Sequence, residues 1–289
     1  MTDPTPVSSP EASAGKGSKR KARKEETWVD TVKFIVWLVV IVVVVRSFIF
    51  SPFNIPSQSM LPRLLIGDYL FVSKFNYGYS RYSLPITLGF IPTVHWADPA
   101  RGDVVVFKAP SDHKDWIKRV IGLPGDTIQM QGGQLILNGK RIPKDRIADF
   151  VVPITPNFPA ESTTEHGECP GAFVSVDQTA QESVCKIPRY RETLPGGRSY
   201  EVLDMGMTQA DDTDVFTVPA GHVFLMGDNR DNSEDSRFPV YVGGISYVPM
   251  ENLEGKAVVS FWSTDGSANW FLPWTWFTAA RWSRIGHGF

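Results

Sequence analysis

Two serines that flank a single residue offer the first chemistry in this 289-residue chain. Ser57 and Ser59 stand on either side of Gln58, after Ile55-Pro56 and before an apolar run. A serine hydroxyl can act as a nucleophile, but it is nearly unreactive at neutral pH unless a base removes its proton. The five histidines are scattered, and none has a sequence context that recommends it as that base. A Ser-x-Ser pair is also common in ordinary turns, so these serines predict chemistry only if a base lies elsewhere.

Lys118 is the candidate base. It lies in an apolar run that reads as a strand, and alternation places it on the same face as Trp116 and Val120. Apolar surroundings disfavour the charged form of a lysine and lower its pKa, and a neutral amine can remove a serine proton. The alternative is that Lys118 and Arg119 form a charged pair on a solvated strand.

A third segment, residues 226–237, is dense in small, polar and charged residues and follows a hydrophobic strand. Its acidic residues and asparagines would suit calcium, but the order of ligands and the closing glutamate of an EF-hand are missing. A hydrogen-bonded scaffold that positions a catalytic lysine agrees better with its hydroxyls and its Arg and Asp residues.

Short strands are predicted to position these residues. The chain holds 24 Gly and 22 Pro, which favours frequent turns, and helical periodicity is weak after residue 60. Strands are predicted at 69–72, 103–107, 116–121, 135–137, 216–218, 222–226 and 256–262. The fold class is therefore expected to be mainly β, with an antiparallel β-sheet catalytic core made of residues 54–142 and 213–289.

An apolar run from Phe34 to Val45 follows a polar, basic stretch, residues 1–33. Extended to Phe53, the run would span about 30 Å as a helix, enough for a bilayer core. We expect one transmembrane anchor at 34–53, with the basic tail in the cytoplasm and the remainder exported. A buried strand and a cleaved signal peptide are the alternatives.

Residues 143–212 differ in amino-acid composition from the segments on either side, which predicts an inserted β-rich subdomain. They are rich in Pro, Thr, Glu and Asp, and they hold both cysteines, Cys169 and Cys185. In an oxidising compartment these two could form a disulfide, although two unrelated thiols remain an alternative. Five of the nine tryptophans lie between Trp262 and Trp282, in a segment that suits either a membrane-interface belt or an aromatic core.

Composition excludes several classes of protein. A chain that is 42% hydrophobic and 21% charged is neither disordered nor a small disulfide scaffold. The formal net charge of −2 provides no field for nucleic acid, so no nucleic-acid partner is expected. No cluster of cysteines and histidines has metal-ligand spacing, so neither a metal nor a cofactor is predicted.

Several motifs, in order along the chain, carry a resemblance to a known family. They are Ser57-Gln-Ser-Met60 with Pro62, Arg101-Gly-Asp-Val-Val-Val-Phe-Lys108, Ile117-Lys-Arg119 with Gly122-Leu-Pro-Gly-Asp126, and Gly227-Asp-Asn-Arg-Asp-Asn-Ser233. Together they resemble bacterial signal peptidase I, a membrane-bound serine peptidase of the S26 type with a Ser–Lys dyad, which removes signal peptides from exported preproteins. The resemblance implies preprotein signal peptides, the lipid bilayer and, by proximity, the secretion translocon as partners. It also implies an inner-membrane location with a periplasmic catalytic part.

The resemblance also implies roles for individual residues. Ser59 would be the nucleophile, Lys118 the general base, and Ser57 with the Ser59 N–H the oxyanion hole. Ser233 would hydrogen-bond the lysine amine, and Met60 would form a wall of the substrate pocket. Ion pairs that support the site would involve Asp228, Arg119, Asp235 and Arg237.

The sequence departs from the family pattern in three places. Arg63 stands where threonine is more usual, and Gln58 replaces a frequent glycine, so the rim of the pocket is expected to differ. The best-known Gram-negative members have two transmembrane segments, whereas one is visible here. Self-cleaving repressors that use a Ser–Lys pair on a related β-fold are the nearest rival. A membrane-tethered, non-catalytic envelope protein of the same fold, the alternative function, is a more distant one.

Overall fold

The computed structural model describes residues 28–79, 82, 94–160, 168–177, 182–269 and 271–289. Most of the predicted cytoplasmic tail, residues 1–27, and Trp270 of the aromatic segment lie outside these ranges. Contacts divide the chain into two compact units, Met1–Ile41 and Val42–Phe289. The described strands all lie in the second unit.

Two α-helices, six short 3-10 helices and seventeen strands make up the regular structure of the described residues. The helices are α1 (Trp28–Phe48) and α2 (Trp274–Thr278). In chain order the strands are β1 (Phe50–Asn54), β2 (Asp68–Ser73), β3 (Gly78–Tyr79), β4 (Val94–His95), β5 (Val104–Lys108), β6 (Asp115–Gly122), β7 (Thr127–Gln131), β8 (Gln134–Leu137), β9 (Lys140–Arg141), β10 (Lys144–Pro153), β11 (Val174–Val176), β12 (Ser183–Thr193), β13 (Ser199–Leu203), β14 (Phe216–Thr217), β15 (His222–Met226), β16 (Val248–Pro249) and β17 (Leu253–Ser263).

The apolar helix differs in its bounds from the predicted anchor at 34–53. α1 has 21 residues, and none of the residues in its most apolar stretch is buried by the rest of the protein. At about 32 Å it is long enough to cross a membrane. It ends at Phe48 because Pro52 follows: proline has no N–H to donate, and the residue before it is disfavoured in a helix. Phe50 and Phe53, expected in the anchor, belong instead to the edge strand β1, where a proline is tolerated.

A seven-stranded antiparallel sheet carries the fold, with the strand order β1-β2-β17-β5-β6-β15-β16. Its centre is β5, a run of valines followed by phenylalanine that is buried on both faces, as expected for β-branched residues in an interior strand. The predicted strands along the core are confirmed to within a few residues at their ends. The Asn138-Gly139 turn joins β8 to β9, and both residues adopt the positive φ that such a turn requires.

Residues 143–212 contribute a four-stranded sheet of their own, β10-β12-β11 with β13 paired to β12, which we call the inserted sheet. Cys169 and Cys185 form a disulfide beside it, with a Cα–Cα distance of 5.7 Å. Cys185 lies on β12 and pairs with Val152 and with Val174. The disulfide therefore ties the preceding loop to the middle strand of the inserted sheet.

Aromatic side chains of the 262–282 segment lie at the surface rather than in an aromatic core. Phe271 is 92% exposed, Trp274 is 63% exposed and Phe277 is 65% exposed. Trp282 packs edge-on against Trp262, with ring centroids 5.8 Å apart. Of the two readings of this segment, the surface belt agrees with these exposures.

Candidate active site

The two serines lie in a turn that leads from the edge strand β1 into the core. Ile55 pairs with the first residue of β2, where its N–H donates to the Asp68 carbonyl at 2.9 Å. Ile55 and Leu64 are buried on either side of the turn and anchor it by their apolar side chains. The hydroxyl oxygens of Ser57 and Ser59 are 3.3 Å apart, and Ser59 is 7% exposed.

Lys118 reaches the turn from the interior strand β6. Its Nζ donates to Ser59 Oγ at 2.7 Å, across 59 residues of sequence, and the residue is 4% exposed. Val120, two residues further along β6, is fully buried beside Trp116, whose ring centroid lies 5.2 Å from the lysine nitrogen. The strand therefore gives Lys118 the apolar neighbours that its alternation predicts, and the solvated-strand alternative does not hold.

Burial sets the protonation of this lysine. Removal of the ammonium group from water lowers the pKa of Lys118 from 10.5 to about 8, although the negative charges of Asp235, Glu234 and Asp228 oppose the shift. About a tenth of the molecules then hold a neutral amine at pH 7, and half of them at pH 8. A neutral amine within hydrogen-bond distance of a serine hydroxyl can accept its proton.

The loop of residues 227–237, which we call the catalytic loop, follows β15 and is held by a buried ion pair. Arg237 donates to the Asp235 carboxylate from Nε and from one terminal nitrogen, at 2.9 Å each, and the Gly227 N–H donates to the same carboxylate at 3.1 Å. Burial opposes ionisation of Asp235, but the charge and hydrogen bonds of Arg237 outweigh it and lower the pKa of that carboxyl. The loop is therefore built around a fixed negative charge that faces Lys118.

A second buried ion pair joins β6 to the catalytic loop. Arg119 donates to Asp228 from two nitrogens, at 2.7 and 2.6 Å, and from a third to the Gly102 carbonyl at 2.7 Å. Bidentate pairs of this kind fix orientation as well as distance. The residue after the candidate base is thereby tied to the loop.

Asn229 is a member of the site that sequence reasoning missed. Its N–H donates to the Ser59 carbonyl at 3.1 Å, and its side-chain amide donates to the Gln58 carbonyl at 3.2 Å. The catalytic loop thus holds the backbone of the serine turn directly. The quoted motif contains Asn229, but nothing in the sequence says that its partner lies 170 residues earlier.

Gly227 fills a position that no larger residue could occupy. A Cβ at this position would lie 2.2 Å from Ser233 Oγ and 2.5 Å from the Ser59 carbonyl oxygen. The glycine therefore lets the catalytic loop approach the serine turn closely.

Ser233 and Met60 do not make the expected contacts in this structure. The Ser233 hydroxyl lies buried at the cavity and has no hydrogen-bond partner among the described residues, because the Lys118 amine is directed to Ser59 instead. Met60 is fully buried in an apolar cluster with Ile55 and Leu64, since the side chain after Ser59 turns away from the cavity toward the core. Met60 is not among the residues that line the cavity, and its role as a wall of the substrate pocket stays a prediction.

The two residues that depart from the family pattern, Gln58 and Arg63, occupy different places. Gln58 lines the cavity beside Ser59, as a changed rim requires. Arg63 does not line it: the guanidinium donates to the Gly288 carbonyl and stands 5.4 Å from the centre of the Phe289 ring. Arg63 therefore fastens the chain near residue 288 to the segment that follows the serines.

A cavity of about 750 Å³ opens over the serine turn and Lys118. Its walls come from β1, the start of β6 and the catalytic loop. Among the described residues no group of three or more His, Cys, Asp or Glu side chains could hold a metal ion. The arrangement offers a hydroxyl, an amine of lowered pKa and a cavity lined by both polar and apolar side chains, which together suit acyl transfer by a serine nucleophile.

Comparisons with known proteins identify relatives of this chain. The family model described as signal peptidase, peptidase S26, matches residues 28–262. A signal peptidase I of Rickettsia canadensis is 33% identical over 286 residues, which cover 92% of this chain and 95% of that protein. A signal peptidase I of Rickettsia akari is 34% identical, over 89% of this chain and 85% of that protein. A crystal structure of a signal peptidase I from Enterococcus faecalis V583 is 22% identical, with a TM-score of 0.27, and covers 55% of this chain and 97% of that one.

The match extends from the apolar helix through the serine turn, β6 and the catalytic loop to β17, so it includes every element that builds the cavity. The chain belongs to the signal peptidase family, peptidase S26, and is a membrane-anchored serine peptidase.

Proposed function

We propose that this protein cleaves signal peptides from exported preproteins, with Ser59 as the nucleophile and Lys118 as the general base. The observation that carries the proposal is the hydrogen bond of 2.7 Å between Lys118 Nζ and Ser59 Oγ at a buried position. Burial lowers the pKa of Lys118 to about 8, so the amine is available as a base near neutral pH.

The reaction begins when Ser59 Oγ attacks the scissile carbonyl and its proton passes to the neutral Lys118 amine. The oxyanion accepts hydrogen bonds from the Ser59 N–H and from the Ser57 hydroxyl, 3.3 Å from Ser59 Oγ, and one such donor is worth about 3–4 kcal/mol in the transition state. The lysine then protonates the leaving amine. Water attacks the acyl-enzyme, again with the lysine as base, and releases the free serine.

The substrate is an extended segment that ends in Ala-x-Ala, the small-residue pattern of a signal-peptide cleavage site. β1 is an edge strand of the seven-stranded sheet, and Phe53 on it lines the cavity, which supports main-chain pairing of the substrate at this edge. Pairing through the main chain accepts many sequences, as a peptidase with many preprotein substrates requires. No metal or cofactor enters this reaction.

The protein acts at the inner membrane of a bacterium, as a single-pass protein with its basic tail in the cytoplasm and its catalytic part in the periplasm. Six lysines and arginines between residues 16 and 24 precede the apolar helix, and positive charge marks the cytoplasmic side. The disulfide supports export to an oxidising compartment. Its partners are the signal peptides, the lipid bilayer and, by proximity, the secretion translocon.

The test uses the full chain in detergent with a preprotein whose signal ends in Ala-x-Ala. Wild type, Ser59→Ala and Lys118→Ala are compared by gel shift and by N-terminal sequencing of the product. We expect cleavage after the second alanine by wild type, and none by either variant, although both variants remain folded. Cleavage by Lys118→Ala at a near-normal rate would contradict the lysine as base, and a folded but inactive wild type would favour a tethered, non-catalytic protein.

A further inference from the structure

A buried cluster joins the inserted sheet to the catalytic loop. Glu192 near the end of β12 and Tyr200 on β13 lie opposite each other in the sheet register, and they are 0% and 7% exposed. One Glu192 carboxylate oxygen accepts hydrogen bonds from Arg230 of the loop at 2.5 Å and from the Tyr200 hydroxyl at 2.7 Å. The Arg230 guanidinium also donates to the Tyr200 hydroxyl oxygen at 3.3 Å.

The same loop is fastened to the inserted sheet at two further points. The Leu203 N–H donates to the Asp228 carbonyl at 2.9 Å, and the Met205 N–H donates to the Asp231 carboxylate at 2.5 Å. These contacts lie at and just after the end of β13. Asp228 and Asp231 therefore owe part of their placement to a sheet that lies outside the cavity.

From this cluster the contacts lead to Lys118 along two routes. In the first, Arg237 donates to the Arg230 carbonyl at 2.5 Å and pairs with Asp235, the charge that most raises the pKa of Lys118 against burial. In the second, the Arg119 guanidinium stands 4.5 Å from the centre of the Tyr200 ring and pairs with Asp228. The cluster thus touches both the loop and the strand that hold the lysine.

Glu192 is the charge that makes this arrangement stable. Arg230 is 2% exposed, and a buried guanidinium is unfavourable unless a carboxylate compensates it. Burial alone would lower the pKa of Arg230, but the charge and hydrogen bond of Glu192, together with Tyr200 and Asp228, outweigh burial and raise it. Removal of the Glu192 charge leaves Arg230 to compete for Asp228, which already pairs with Arg119.

We propose that Glu192, supported by Tyr200, is a positioning residue for the catalytic base, and that the inserted sheet serves to hold the catalytic loop against Lys118 and Ser59. This inference rests on the proposed peptidase function. Glu192 contacts neither the cavity nor the serine turn, so it acts through Arg230 and the two ion pairs. The inserted sheet, which the catalytic motifs do not include, thereby has a role in catalysis.

The test compares Glu192→Gln with wild type as the full chain in detergent, at a concentration of folded enzyme fixed by circular dichroism. We expect kcat on the Ala-x-Ala preprotein to fall at least tenfold, with KM within threefold, because the substituted side chain is remote from the cavity. The rising limb of kcat/KM against pH should move to lower pH by a few tenths of a pH unit. Arg230, without its partner, competes for Asp228 and weakens the attraction by which Asp228 raises the pKa of Lys118. Asp235, Glu234 and Arg237 still face the lysine in the variant.

Two further variants separate positioning from folding. Tyr200→Phe keeps the ring beside Arg119 and removes one hydrogen bond to Glu192, so kcat should fall about threefold with the fold intact. Glu201→Gln is the matched control: it removes a carboxylate of the same sheet that pairs with Arg189 and Arg191 toward the surface, and kcat should stay within twofold.

The outcomes distinguish this inference from the proposed function. If wild type does not cleave the preprotein, the proposed function fails. If wild type cleaves and Glu192→Gln retains kcat within twofold, the inference alone is overturned. The inference is also overturned if activity falls only in proportion to the amount of folded protein and the pH profile of kcat/KM does not move. A purely structural residue would behave in that way.

Discussion

Replacement of the buried lysine by methionine should separate its catalytic use from its effect on stability. The pKa of Lys118 is about 8 in the folded protein and 10.5 when exposed, so the unfolded chain binds more protons between these values. Protonation therefore favours unfolding: the destabilisation is complete below pH 8, falls as the pH rises from 8 to 10.5, and is absent above 10.5. Each factor of ten is worth about 1.4 kcal/mol, so burial of this lysine destabilises the protein by about 3 kcal/mol at pH 7 and about 1 kcal/mol at pH 9.5.

Methionine in Lys118→Met has a similar shape and carries no proton, so the variant escapes this penalty at every pH. It also loses the hydrogen bond to Ser59, but that loss contributes the same amount at both pH values. The unfolding free energy of the variant minus that of wild type should therefore be about 2 kcal/mol larger at pH 7 than at pH 9.5. Cleavage should be abolished at both pH values.

The assay is urea unfolding of the full chain in a non-ionic detergent at the two pH values. Lys140→Met, a substitution at an exposed position on β9, is the control and should show no such difference. A lowered lysine pKa would be refuted if the unfolding free energies of Lys118→Met and wild type instead differed by the same amount, within about 0.5 kcal/mol, at pH 7 and pH 9.5.

Two other predictions concern the backbone near the site and the inserted sheet. Gly227→Ala should lower kcat about 100-fold, because a Cβ at 2.5 Å from the Ser59 carbonyl displaces the nucleophile, whereas Gly171→Ala, with nothing within 4 Å, should not change it. Equal activity of the two variants in the cleavage assay would show that the close approach is unimportant. Replacement of both Cys169 and Cys185 by alanine should reduce stability by about 3 kcal/mol, the value for a loop of this size. An unchanged urea midpoint under oxidising conditions would contradict a stabilising disulfide.

Local sequence patterns predicted the strands of the core and the face of Lys118. The Val-Val-Val-Phe run of β5 is buried on both faces, and alternation along β6 places Trp116, Lys118 and Val120 together, as period-two structure requires. Hydropathy extended the predicted anchor to Phe53, whereas the helix ends at Phe48, since Phe50 and Phe53 are apolar but Pro52 between them excludes a helix.

Contacts between distant segments could not be predicted from the sequence. Glu192 and Arg230 pair across 38 residues, and neither stands in a pattern that marks it. The direction of the Ser233 hydroxyl and the inward turn of Met60 depend on how the catalytic loop and the serine turn meet, which no local periodicity encodes. Such pairings are determined by tertiary packing, whereas the strands that bring them together are determined locally.

The pH dependence of kcat/KM for the wild-type enzyme tests the Ser59–Lys118 mechanism most directly. We predict a rise of about tenfold per pH unit below pH 8 that levels off above it, because the rate follows the neutral fraction of a lysine whose pKa is about 8. The limb should be the same for preproteins that differ in sequence around the Ala-x-Ala site. A flat profile between about pH 6 and pH 9 would contradict a titrating lysine as the base.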